Sequence, residues 1–188
     1  PTVIRQIPIP KLDKNDELEF MAKECIDMCI EDDKLNECSW NFSTNTLANQ
    51  TNKLQFGFEN QVSYVISQIE KLKEKDEEIN EMLLKTTKLD FTSKVEYNLI
   101  TLRLNPSYSS NVNVGTSEYN NTIKKYLLFD FLSWNIGNLF GRFSLNKPGL
   151  ILANQGETVQ AFLKQVPNPS FMPDEDNIIP VLEGEWFN

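Results

Sequence analysis

The sequence predicts a mainly α fold, a helical domain with a few short strands and an extended proline-rich C-terminal segment. Apolar residues recur at spacings of three and four through several long stretches, and helix-capping residue types stand just before them. Four prolines, Pro167, Pro169, Pro173 and Pro180, interrupt the end of the chain and leave no room there for a helix interior. A hydrophobic fraction of 40% with 12 Phe, 5 Tyr and 3 Trp in 188 residues is enough to bury one core.

Residues 1–14 alternate in polarity and carry Pro8 and Pro10, which suits an extended linker from a preceding region. Because the chain opens on Pro1 directly into that apolar stretch, it is expected to be a piece of a longer polypeptide. A helical core domain is expected over 15–166. Its first helix is capped by Asn15 or Asp16, shows Leu18, Met21, Ala22, Cys25, Met28 and Cys29 on one face, and ends near Lys34. Residues 36–52 are rich in Asn, Ser and Thr and hold Trp40 and Phe42, so they read as a loop pinned by two rings.

Gly57 is expected before a second helix over 59–85, whose stripe of Val62, Val65, Ile66, Ile69, Leu72, Ile79, Met82 and Leu83 is opposed by a charged run at 70–78. Residues 97–104 then read as a strand, and 105–115 as a turn and polar loop. The third helix, over 121–140, is apolar around much of its circumference and is expected at the centre of the core, buried on more than one side. A short strand at 150–153 and a short helix at 157–166 precede the extended segment 167–188.

Net charge is −9, from 18 basic and 27 acidic residues, so broad nucleic-acid binding by the whole surface is excluded and any DNA contact must be local. The acidic clusters at 31–33, 76–78 and 174–176 read as solvated faces. Cys25, Cys29 and Cys38 lack disulfide or zinc spacing, and there is no histidine, which predicts reduced thiols in the core of a cytoplasmic protein and no metal. No apolar run is long enough for a membrane span.

The constellations of hydrolases, P-loop nucleotidases and dinucleotide enzymes are missing. One tetrapeptide, Asn105-Pro106-Ser107-Tyr108, is similar to the Asn-Pro-Pro-Tyr motif with which amino methyltransferases hold a flipped base. Here Ser107 replaces the second proline and no glycine-rich cofactor loop precedes the motif. It therefore reads as a turn, with no catalytic and no cofactor-binding residue in the sequence.

Several blocks, in order, resemble the PglX family of adenine-specific DNA methyltransferases of BREX phage-defence systems. They are Ile7-Pro8-Ile9-Pro10, Ser39-Trp40-Asn41-Phe42, Glu77-Glu78-Ile79-Asn80, Thr101-Leu102-Arg103 and, most specifically, Phe140-Gly141-Arg142-Phe143-Ser144-Leu145-Asn146-Lys147-Pro148-Gly149-Leu150. Ala153-Asn154-Gln155-Gly156-Glu157-Thr158 and Gly184-Glu185-Trp186-Phe187 continue the likeness. The resemblance implies a parent enzyme that uses S-adenosylmethionine to methylate adenine N6 in double-stranded DNA, in the cytoplasm. It places these 188 residues on the C-terminal side of the catalytic core, as a helical or target-recognition-lobe part with no cofactor of its own.

Lys124, Lys125, Arg142 and Lys147 are the candidate phosphate contacts on that reading. The plainer assignment makes Lys124 and Lys125 solvent-facing charges near a helix start and has Arg142 bonding carbonyls at a helix end. A second functional class also fits the composition, a protein-interaction module that holds other BREX components with the acidic surface and the long second helix.

Overall fold

The computed structural model describes residues 15–48, 54–87, 92–154 and 156–174. The expectations for the linker 1–14 and for 175–188 lie outside them. Every regular element among the described residues is helical: α1 (Asp16–Asp33), α2 (Leu54–Thr87), a 3-10 turn (Tyr97–Leu99), α3 (Pro106–Ser110), α4 (Ser117–Leu139) and α5 (Val159–Gln165).

Helix α1 begins where the Asn15 side chain accepts hydrogen bonds from the Glu17 and Leu18 amides, with Asp16, Glu17 and Glu19 set against the positive end of the helix dipole. Its last turn carries no basic residue to balance Asp32 and Asp33. Other segments do so instead: the Arg103 amide donates to Asp32 at 2.7 Å, and the Ser39 hydroxyl donates to Asp33. No residue of α1 is fully buried. Cys25 and Met28 lean on the core, whereas Cys29 and Cys38 are exposed, so the expectation of three core thiols holds for Cys25 alone.

Helix α2 starts earlier than periodicity predicts and takes Gly57 into its first turn. Val62, Ile69 and Leu72 are buried against Ile100, Leu102 and Leu104 and against Tyr119, Ile123 and Leu127 of α4. The charged run on α2 is more than a solvated face. Lys75 reaches Glu24 of α1 at 2.6 Å, and Glu77 accepts from Lys73 at 2.6 Å and from the Val95 amide at 3.0 Å.

Neither expected strand forms among the described residues. The alternation at 100–104 is real, with Ile100, Leu102 and Leu104 buried and Thr101 exposed. The segment nevertheless lies across helices with no strand beside it, and its polar groups are satisfied by the 3-10 turn, by Asp32 and by Asn105 rather than by a ladder. Residues 150–153 behave alike: the Ile151 amide donates to the Arg142 carbonyl, and the Ile151 carbonyl accepts from Gln165.

Helix α4 is capped by the Thr116 hydroxyl, which accepts from the Tyr119 amide at 3.1 Å. Its buried residues, Tyr119, Ile123, Leu127, Trp134, Gly137 and Asn138, share one side. Leu128, Phe129, Leu132 and Ile136 are 43–55% exposed, which corrects the expectation of burial on more than one side.

The helix closes on Gly141, whose φ of +70° lets the Arg142 amide fold back onto the Gly137 carbonyl at 2.8 Å. The Phe143 ring then lies on Gly137 so closely that a Cβ there would stand 2.4 Å from it. Phe143 packs with Trp134 and Phe42, and Ile151, Leu152, Phe162 and Val166 form a small second core around α5. The Asp174 amide donates to the Leu139 carbonyl at 2.9 Å, returning the backbone to the end of α4.

Two outcomes follow from this packing. Gly137→Ala gains about 1 kcal/mol of helix propensity but overpacks Phe143, a cost of about 1–3 kcal/mol. A net loss in denaturant melts is expected, and stabilisation would refute the contact. The bonds to Glu77 hold its carboxyl down from 4.5 to about 2. A depressed carboxylate stabilises the fold fully above its unfolded value, and that contribution is lost as pH falls through the folded one. Glu77→Gln should therefore be less stable than the native protein at neutral pH, and the gap in urea midpoints should close between pH 4.5 and about 2.

Candidate functional site

The methyltransferase-like tetrapeptide is built into the fold rather than displayed. Asn105 is fully buried, and its Oδ1 accepts from the Ser107 amide at 3.1 Å and from the Tyr119 hydroxyl at 3.0 Å. Its Nδ2 donates to the carbonyls of Tyr97 at 2.8 Å and Ile100 at 2.7 Å. Both ends of the amide are occupied. Burial pushes the Tyr119 phenol up to about 12, so it remains a donor at any ordinary pH. Where a turn and polar loop were expected, Asn105 caps the short helix α3 with Pro106 at its first position, and Tyr108 points outward, 54% exposed.

The four candidate phosphate contacts fall into two groups. Lys124 and Lys125 are exposed on the first half of α4, with the Lys125 ammonium 5.6 Å from the Phe129 ring centre. Arg142 lies beyond the end of that helix, about 20 Å further along it at 1.5 Å per residue. It is the Arg142 backbone that bonds a helix-end carbonyl. Its side chain is exposed, with the guanidinium carbon 5.4 Å from the Phe143 ring centre. Lys147 is also exposed and donates to Gln165 at 3.1 Å. Arg142 and Lys147 thus belong to one lobe and the α4 lysines to another surface.

Around Arg142 the lobe forms an open cleft of about 600 Å³ that includes Trp40, Phe140, Leu150, Asn154 and Glu157. The loop bearing Trp40 is held there by the Gly149 amide, which donates to the Ser43 carbonyl at 2.6 Å, and by Phe42 packed on Phe143 with ring centres 5.0 Å apart. Of the two rings, Phe42 alone is buried in the loop's anchorage. Trp40 stands fully exposed, which corrects the expectation that both rings would pin the loop. Glu157 accepts from the Ala153 and Asn154 amides, each at 2.8 Å, and these bonds lower its pKa and keep its charge turned into its own loop. Residues 138–174 carry Arg142, Lys147 and Lys164 against Glu157 and Asp174, and Glu175 and Asp176 follow directly in the sequence, so the block has cations but no net excess of base.

No family model matches the chain. It is similar to the adenine-specific methyltransferase BrxX of Escherichia coli O9:H4 (strain HS), with 28% identity over 189 residues. That likeness takes in 98% of this chain but only 15% of the length of BrxX. No helix among the described residues is long and apolar enough to cross a membrane.

The packing of Asn105 gives a direct test. Asn105→Ala leaves buried backbone carbonyls and the Tyr119 hydroxyl without partners, at a cost on the order of 3 kcal/mol. Tyr108→Ala, on an exposed ring, should change stability by less than about 0.5 kcal/mol. Equal small effects in chemical denaturation would remove Asn105 from its structural role.

Proposed function

We propose that this chain is a non-catalytic helical part of an adenine-specific DNA methyltransferase of the PglX type, acting in or beside the lobe that recognises DNA. The observation that carries the reading is the likeness to BrxX along nearly the whole sequence within a small part of that protein. The fully bonded amide of Asn105 supports it, because the side chain with which such a motif would hold the adenine amino group is already paired within the fold.

On this reading S-adenosylmethionine and the transfer to adenine N6 belong to the parent enzyme, in the cytoplasm, within a BREX phage-defence system. The helical part supplies shape and a few phosphate contacts. Arg142 and Lys147 are the preferred ones, because both are exposed in the block whose resemblance is the most specific, and Lys124 and Lys125 serve a second surface. One observation favours the other reading, a protein-interaction module. The exposed row Leu128, Leu132 and Ile136 on α4 offers an apolar face, whereas much of the α2 stripe is spent on the core.

Two measurements check the proposal. Calorimetric titration of the protein with S-adenosylmethionine should give no saturable heat, and micromolar one-to-one binding would overturn the non-catalytic assignment. In the whole methyltransferase, replacing Arg142 and Lys147 by Ala should weaken DNA binding. Removing each phosphate contact should make the dependence of log affinity on log salt shallower by about 0.9. An unchanged slope would move the DNA surface elsewhere.

A further inference from the structure

The loop that carries Trp40 fixes where its indole stands. Ser39 to Phe42 form a tight turn, in which the Phe42 amide donates to the Ser39 carbonyl at 3.1 Å and the Asn41 amide donates to the Ser39 hydroxyl oxygen at 3.1 Å. The Ser39 hydroxyl in turn donates to Asp33 of α1, and the Ser43 amide donates to the Lys34 carbonyl at 2.9 Å. Trp40 is the second residue of this turn, with a bonded residue on either side. Its ring is fully exposed and its N–H makes no hydrogen bond among the described residues, so a large flat surface stands in water on a fixed backbone.

The cleft beside it, of about 600 Å³, holds a group suited to each part of a nucleotide. Arg142 rests over the Phe143 ring and forms no ion pair among the described residues, which leaves its guanidinium for an external anion. Leu150, half-exposed in the same cleft, extends the apolar surface. Glu157 also lines it, but its carboxylate is held by the Ala153 and Asn154 amides and by the Asn154 side chain at 3.2 Å. With an acid and a base sharing the cleft, attraction to phosphate alone is weak, and binding there leans on the indole. An indole stacks on a base only where the base has an open face, as in an unpaired strand and not inside a duplex.

We infer, on the basis of the DNA-facing role proposed above, that the cleft takes an unpaired nucleotide of DNA, its base stacked on Trp40 and its phosphate on Arg142. Modifying a base inside a duplex requires the duplex to open, so nucleotides with an exposed face accompany that role. Stacking tolerates any base, because each has a flat π face, and the contact therefore adds affinity for opened DNA without reading its sequence.

Fluorescence anisotropy titrations of the full 188-residue protein at low salt test this with two labelled strands of equal length, an oligothymidine and a strand of abasic sites that keeps the phosphates and lacks the bases. The native protein should bind the oligothymidine about tenfold more tightly. Trp40→Ala should bind the two strands alike, whereas Trp40→Phe should keep most of the preference. Both variants should unfold at the native urea midpoint, because the ring is exposed. Arg142→Ala should weaken binding of both strands and make the dependence of log affinity on log salt shallower by about 0.7. A native protein without preference, a Trp40→Ala variant that retains it, or no saturable binding of either strand overturns the inference. Equal binding of both strands, weakened alike by Arg142→Ala, overturns the stacking and leaves the DNA-facing role in place. That role loses its Arg142 contact separately, if Arg142→Ala changes neither affinity nor slope.

Discussion

One buried amide organises the middle of this molecule. Residues 97–105 cross α2 and α4 in irregular conformation, so their backbone groups have no ladder in which to pair. Asn105 solves that locally, taking two carbonyls from its N-terminal side, one amide from α3 and the hydroxyl of Tyr119 from α4. Each buried polar group left unpaired would cost about 1–3 kcal/mol, comparable to burying one large apolar side chain. The apolar contacts of Ile100, Leu102 and Leu104 therefore depend on this amide for their register. Within the same segment, Arg103 extends the arrangement by tying Asp32 of α1 and Asp130 of α4 to one strip of backbone.

A second junction sets where the C-terminal lobe stands. Gly137 gives up a side chain so that Phe143 can lie on the helix, and Gly141 adopts a left-handed backbone that brings Phe143 back there within two residues. Phe42 then closes over Phe143, which brings the Trp40 loop beside Arg142. The position of the exposed cation and the exposed indole thus follows from two glycines some distance from either tip. This is why a block such as Phe140-Gly141-Arg142-Phe143 reads as functional and structural at once.

Helix existence was legible because periodicity and caps are local: Asn15 before α1 and the apolar rows of α2 and α4 behave as their spacing requires. The strands were not. Alternation at 100–104 reports which side chains are buried, and says nothing of whether a neighbouring strand exists to take the hydrogen bonds. The surroundings of α4 were misread for a related reason. An apolar residue such as Leu132 or Phe129 shows that a surface resists water, and sequence alone does not say whether this polypeptide or another body covers it. Trp40 carried the opposite error, since an aromatic pair in a polar loop looks like an anchor until the fold buries only one member. Of the site residues, Arg142 and Lys147 were reached through the resemblance of their block, while the separation of the α4 lysines from them needed the fold.

Charge distribution reconciles an acidic protein with the proposed role beside DNA. Net charge governs long-range encounter, but at physiological salt electrostatic influence decays over about 8 Å. Asp130, where the acid network of α1 meets α4, is about 14 Å of helix short of Leu139, at 1.5 Å per residue. A phosphate approaching Arg142 and Lys147 therefore meets those cations together with Asp174, held at the end of α4, and Glu157, whose charge is already engaged by backbone amides. The acids of α1, Asp27, Glu31 and Asp32, likewise act only on what comes within that distance of them. A local cation can therefore meet a phosphate on a protein of acidic net charge, because the solvent between separated charges screens them.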